Sequence, residues 1–152
     1  MTSLENANIH LAKSKLIEEN LSLVITKNNQ VIFETTKPGI GGFLQAIEQL
    51  ENKLNGSSVA DKIIGVAAAM LCVYCKVESV FALTISEGGV KVLEENGIRF
   101  EFEERVSHIM NRDKTDVCPF EKLAMEAKTS QEAYVNLKAF AKQLMDMSTK
   151  TC

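Results

Sequence analysis

Three stretches of the chain bring together side chains that could do chemistry. The first is Asp61-Lys62, a carboxylate beside an ammonium, at the start of the most apolar segment, Ile63 to Lys76. From Ile63 to Tyr74 every residue except Gly65 is apolar, as in a helix covered on all sides. With Ser58 as N-cap and Asp61 at N3, the pattern predicts a helix start here. A charged pair beside the free N–H groups of such a start would form a polar binding lip. The structural alternative is that Asp61 only caps the helix and complements its dipole, while Lys62 points to water.

The second stretch is Ser86-Glu87-Gly88-Gly89, which follows the apolar strand run Ser79–Ile85 and leads into a short helix from Val90 to Asn96. Ligands of α/β sheets bind at such strand ends, and glycines there allow backbone N–H groups to reach an anion. The spacing matches neither Gly-x-Gly-x-x-Gly nor the P-loop, so a tight turn is the simpler reading.

The third stretch, Asn111-Arg112-Asp113-Lys114-Thr115-Asp116-Val117-Cys118-Pro119-Phe120-Glu121, is the most polar in the chain. Pro119 fits helix position N1, which puts Cys118 near the N-cap and Glu121 near N3. A thiol at a helix N-terminus has its pKa lowered; Arg112 would help and Asp116 would oppose. The enzymatic reading makes Cys118 the nucleophile or a redox-sensitive thiol and Asp61 or Asp113 the acid/base. Lys62 or Arg112 would anchor an anion, with Ser86, Glu87, Asn111 and Thr115 as further ligand contacts. It predicts that limiting alkylation labels Cys118 ahead of the terminal Cys152. The alternative is a surface loop holding a half-buried cysteine. Cys72-Val73-Tyr74-Cys75 is formally C-x-x-C, but it lies within the apolar run and reads as buried structural cysteine. His10 and His108, the two histidines, have no metal-ligand spacing.

These stretches must be positioned by alternating helices and strands. Leu4 to Asn20 reads as a helix, with Leu4, Ile9, Leu11, Leu16 and Ile17 near one face. Leu21–Thr26 and Val31–Thr35 read as strands joined by a hairpin turn over Lys27-Asn28-Asn29-Gln30. Pro38-Gly39-Ile40-Gly41-Gly42 breaks the pattern, and an amphipathic helix follows from Phe43 to Leu54. Ile98–Glu103 alternates as a strand with one wet face, and Ser107–Val117 is irregular. Helices follow from Pro119 to about Lys128 and from Thr129-Ser130 to about Met147, with Ser148–Cys152 frayed. This order predicts an α/β chain: a three-layer α/β/α sandwich with a mixed sheet and right-handed parallel crossovers. We expect a single domain over 1–152, an α/β core at about 4–128 and a C-terminal helix at about 130–147.

Composition narrows the function classes. The chain has 152 residues, 45% of them hydrophobic and 24% charged, so it can bury a core without staples. Its formal net charge of −3 disfavours a non-specific nucleic-acid binder. Four cysteines in a chain of this size do not make a disulfide framework and fit a reducing compartment. Met1-Thr2-Ser3-Leu4-Glu5-Asn6 lacks the basic and apolar regions of a signal peptide, and no apolar run reaches the ~20 residues that span a bilayer. A cytoplasmic location with no membrane partner is expected; a homo-oligomer is left open.

Taken jointly, Ser58-Val59-Ala60-Asp61-Lys62-x-x-Gly65, Ile85-Ser86-Glu87 and Asn111-Arg112-Asp113-x-Thr115-x-x-Cys118-Pro119-x-Glu121 resemble a small prokaryotic family defined only as a domain of unknown function. The resemblance covers roughly Leu16 to Glu126. It implies a cytidine-deaminase-like fold, and that Asp61, Lys62 and the Asn111–Cys118 loop converge on one pocket. The chain departs from the family in having Lys114 where a glycine usually follows Asn-Arg-Asp. Zinc deaminases carry His-x-Glu or Cys-x-Glu at one helix start and Pro-Cys-x-x-Cys at another. Here the corresponding places hold Ala60-Asp61-Lys62 and Ser86-Glu87-Gly88-Gly89, with no zinc ligand in either.

Two functions follow as expectations: an enzyme acting on a small polar, nucleotide-like molecule, or a non-catalytic ligand-binding or regulatory module. Neither is expected to use a cofactor. The purified protein should carry no stoichiometric zinc; one tightly held zinc per chain by elemental analysis would overturn this.

Overall fold

In the computed structural model of the chain, residues 3–146 are described, with their side chains from residue 7. The side chain of Leu4, the helix end at Met147, the tail Ser148–Cys152 and the comparison thiol Cys152 lie outside the described residues. The elements in order are α1 (Ser3–Glu18), β1 (Leu23–Lys27), β2 (Gln30–Thr35), α2 (Gly41–Leu50), β3 (Ser58–Ile64), α3 (Val66–Cys75), β4 (Ser79–Ser86), α4 (Glu87–Glu95), β5 (Arg99–Val106), α5 (Pro119–Glu126) and α6 (Ser130–Asp146). A 3₁₀ turn over Glu51–Leu54 ends the segment read as one helix from Phe43.

The five strands form one sheet in the order β2-β1-β3-β4-β5. β1 is antiparallel to β2 and to β3, whereas β3, β4 and β5 are parallel. Asn28 and Asn29 take positive φ in the hairpin turn, as expected of asparagine there. On one face, Ala12 and Leu16 of α1 pack with Val24, Ala60 and Phe81 of the sheet. On the other, α2, α3 and α4 share a larger core with Val59, Val80 and Ala82, and α5 and α6 add Phe120, Ala124, Ala133 and Leu137 to it. This is the three-layer α/β/α sandwich with a mixed sheet. No described helix is long and apolar enough to cross a membrane.

The boundary that matters most for the site differs from expectation. Ser58 to Ile64 is a strand, not a helix start, so Asp61 is not at N3 and Ser58 is not an N-cap. Ser58 instead shares a buried hydrogen bond with Ser79 on β4, 2.8 Å between hydroxyl oxygens. A central strand and a covered helix both read as unbroken apolar sequence; the break between them is Gly65, the actual N-cap of α3. Asp61 and Lys62 therefore sit toward the C-terminal end of a parallel strand.

The other glycine-rich stretch is part of a helix. Ser86 is the N-cap of α4, and its hydroxyl accepts a hydrogen bond from the Gly89 N–H at 3.0 Å. A Cβ on Gly89 would lie 3.0 Å from the carbonyl oxygen of Ile64, and one on Gly88 would lie 2.6 Å from a Val66 methyl. These glycines let α4 approach the β3–α3 junction closely. Ser86→Ala removes a buried cap and leaves the Gly89 N–H without its acceptor. It should cost about 1–2 kcal/mol of unfolding free energy in a denaturant titration; an unchanged midpoint would contradict this role.

Candidate functional site

A pocket of about 270 Å³ opens where β3 ends. One wall is Asp61, Lys62 and Ile63 at the end of the strand, facing Gly65, Ala67 and Ala68 at the start of α3. Pro38, Gly39 and Ile40 before α2 form a second wall, and Ile109, Met110, Arg112, Cys118 and Phe120 close a third. Most of these side chains are apolar, so the pocket is less polar than expected; Asp61, Lys62, Arg112, Ser22 and Glu121 supply the polar groups.

Strand register places Asp61 opposite Leu23 of β1 and Ala82 of β4. Its Oδ1 accepts from the Ile63 N–H at 3.2 Å. Asp61 is half-buried, and loss of water pushes its carboxyl up from 3.8 to about 7, against the lowering effect of the Ile63 and Lys62 backbone N–H groups. A carboxyl in that range can donate or accept a proton near neutral pH. Lys62 is half-buried and Arg112 exposed, and neither has an ion-pair partner among the described residues.

The floor rests on Glu121, which the spacing placed in a helix first turn without a role in the site. It lies 4% exposed. Its two carboxylate oxygens accept from the backbone N–H groups of Val66 at 2.7 Å and Ala67 at 2.8 Å. Gly65 has no side chain to cap α3, so a residue more than fifty positions downstream does it. A Cβ on Gly65 would fall 2.0 Å from Glu121 Oε1, which accounts for the glycine. Burial raises the Glu121 pKa, opposed by the two N–H groups and by the charge of His108.

The loop residues divide. Arg112 and Cys118 line the pocket; Asn111, Asp113 and Thr115 do not. The Asn111 carboxamide accepts from the Thr115 N–H at 3.0 Å and donates to the Thr115 hydroxyl at 3.1 Å, tying the loop to itself. Asp113 is exposed. Lys114 takes a left-handed φ of 58°, the conformation glycine adopts at least cost. Asp116 pairs with Lys122, whose hydrogen bond, with that from the Val117 N–H, lowers its pKa. Ser86 is engaged as a buried cap and Glu87 is exposed; neither lines the pocket.

Cys118 is the N-cap residue of α5, as expected, and it is 3% exposed. Cys72 and Cys75 are free and buried; burial pushes the Cys75 thiol up to about 12 and that of Cys72 upward too, as inert structural cysteines. Among the described residues no group of three His, Cys, Asp or Glu is placed to hold a metal ion. The start of α3 carries Gly65-Val66-Ala67 and the start of α4 carries Glu87-Gly88-Gly89.

Fold and site thus define an α/β sandwich with a small, largely apolar pocket at the end of its first parallel strand. The family model described as TM1506, a domain of unknown function (DUF1893), matches residues 11–141, and the chain belongs to that family. The crystal structure of a DUF1893 family protein (TM1506) from Thermotoga maritima is 27% identical and superposes with a TM-score of 0.78, over 91% of this chain and 90% of that one. Weaker similarity extends to RibD of Acinetobacter baumannii, 23% identical, TM-score 0.47, over 65% of this chain and 34% of that one. It extends also to the dCMP deaminase of the cyanophage S-TIM5, 13% identical, TM-score 0.46, over 70% of this chain and 100% of that one. No curated protein matches the sequence.

The Asp61 carboxyl predicts a pH dependence of stability. Its folded-state pKa lies above the unfolded value, so between about pH 4 and 7 the native state binds more protons than the unfolded chain. Stability should fall as pH rises through that window and level off above it. The size is on the order of 2 kcal/mol after discounting for the part of the side chain still in water. Glu121 acts in the same direction and Asp116 in the opposite one. Asp61→Asn should flatten the Asp61 share and be more stable than wild type at pH 8. Parallel denaturation profiles for the two proteins from pH 4 to 8 would refute the assignment.

Proposed function

We propose that this chain binds a small ligand in the pocket between β3, α3 and the loop before α5, without a metal ion. The observation that carries this reading is the placement of the half-buried Asp61 among apolar walls, Ile40, Ile109 and Phe120, in a cavity of about 270 Å³. Ligand sites are typically apolar concavities with a few convergent polar groups and a perturbed titratable residue. The binding-module reading gains over the thiol-enzyme reading, because Cys118 is buried and Asp113 lies outside the pocket. Should chemistry occur, Asp61 is the group poised to move a proton, and the reaction would be acid–base rather than nucleophilic.

A neutral ring of matching size tests the pocket directly. Phenol added to ¹⁵N-labelled protein should shift the amide signals of Ile63 to Ala68 and Ile109 to Phe120. Ala68→Leu fills the cavity and should abolish those shifts while leaving the fold intact by circular dichroism. Shifts that are absent, or unchanged in Ala68→Leu, would remove the pocket as a ligand site.

A further inference from the structure

We infer that the ligand of this pocket is an organic anion: a ring or other apolar body carrying one carboxylate or phosphate, with the charged group held at the mouth by Lys62 and Arg112. This deepens the reading just given and rests on the pocket being a ligand site.

The argument is one of unbalanced charge. Lys62 comes from the end of β3 and Arg112 from the loop before α5, two elements far apart in sequence, and both line the same cavity. Neither has an ion-pair partner among the described residues. Other cations, Lys27, Lys37 and Lys53 among them, also form no ion pair among the described residues; what sets Lys62 and Arg112 apart is that both line one cavity with largely apolar walls. Asp61 is the acid that lines the same cavity; it forms no ion pair with either cation among the described residues, and its loss of hydration disfavours the ionised form. Glu121 is the other acid of the pocket, and both its oxygens are spent on the Val66 and Ala67 N–H groups. The mouth therefore keeps two cationic donors without a built-in counterion.

The same contacts say where the ligand's charge sits. The N-terminus of α3, where an anion would ordinarily bind, is filled by the chain's own carboxylate. An incoming anionic group is excluded from the floor and directed to the mouth. The interior is left to apolar atoms against Ile40, Ile109, Phe120 and Ala68.

Three probes with one ring and different charge decide the matter: benzoate, phenol and benzamidine, titrated at about pH 6, below the Asp61 pKa, and read by the same amide shifts. Benzoate should bind with a Kd on the order of 1 mM or tighter, given its nine heavy atoms, and roughly tenfold more tightly than phenol or benzamidine. Lys62→Gln and Arg112→Gln should each remove most of that preference, since a charge-assisted hydrogen bond is worth roughly tenfold in affinity. Phenol binding should change little in either variant. Glu87→Gln, outside the pocket, should leave all three affinities as they are. If phenol binds but benzoate binds no better, or benzamidine binds best, the anion assignment is overturned while the ligand pocket stands. If no probe shifts the pocket amides, the pocket reading fails and this one with it.

Discussion

The Glu121 carboxylate on the first two N–H groups of α3 is the contact on which the rest of this site depends. Helix α3 is built from Val66 to Cys75 with no acidic residue in its first turn and a glycine as N-cap. Its leading N–H groups are buried, so water does not satisfy them, and an unsatisfied buried donor costs about as much as a lost hydrogen bond. A carboxylate answers two donors at once and sits at the positive end of the dipole. Taking Glu121 out of water has its own cost, visible as its raised pKa. Two short charge-assisted hydrogen bonds offset it, and removing the carboxylate would leave both donors unpaired.

That contact also fixes the wall that carries Arg112 and Cys118. Glu121 lies in the first turn of α5, directly after the loop, so anchoring it to α3 brings the loop over the end of β3. Inside the loop, Asn111 closes on Thr115, and the Asn111 N–H donates to the Asp116 carbonyl at 2.8 Å. Met110 and Val117 pair as a short antiparallel bridge. The Cys118 N–H donates to the Ile109 carbonyl at 2.9 Å. The polar residues of the loop therefore largely build its shape, and what it presents to the pocket is Ile109, Met110 and one guanidinium. A stretch rich in functional groups looked like catalytic machinery because sequence does not tell a side chain that binds its own loop from one that binds a ligand.

Local patterns carried the layers and the sheet. Asn28-Asn29 marked the hairpin, Pro119 the start of α5, and the alternation of Ile98–Glu103 the outer strand. Two features had no local signature. The β3–α3 boundary was hidden because both elements are covered by protein, so neither showed the polar stripe that separates period two from period 3.6. The cap of α3 was hidden because its donor and acceptor residues are 55 positions apart. The glycine of Gly65 was the available sign of both: its absent Cβ makes room for Glu121 Oε1, and its extended backbone ends the strand. The family resemblance did bring Asp61, Lys62, Arg112 and Cys118 to one pocket, but it could not assign them roles.

The second glycine-rich stretch shows why the helix starts here are packing devices. Gly88 and Gly89 at the head of α4 lie against Val66 and the carbonyls of Ile64 and Gly65 at the head of α3. Glycine at these places leaves no side chain between the two helix starts, and the N–H groups at each are answered from within, by Ser86 in one case and Glu121 in the other. A fold of this kind ordinarily offers a ligand the strand ends and the helix N-termini together. This chain has closed the second and kept the first. On the ligand-binding reading proposed above, recognition would fall to side chains on the strand end and the loop rather than to backbone dipoles. The glycines here serve the close packing of the two helix starts, not the cradle that a phosphate-binding loop would need.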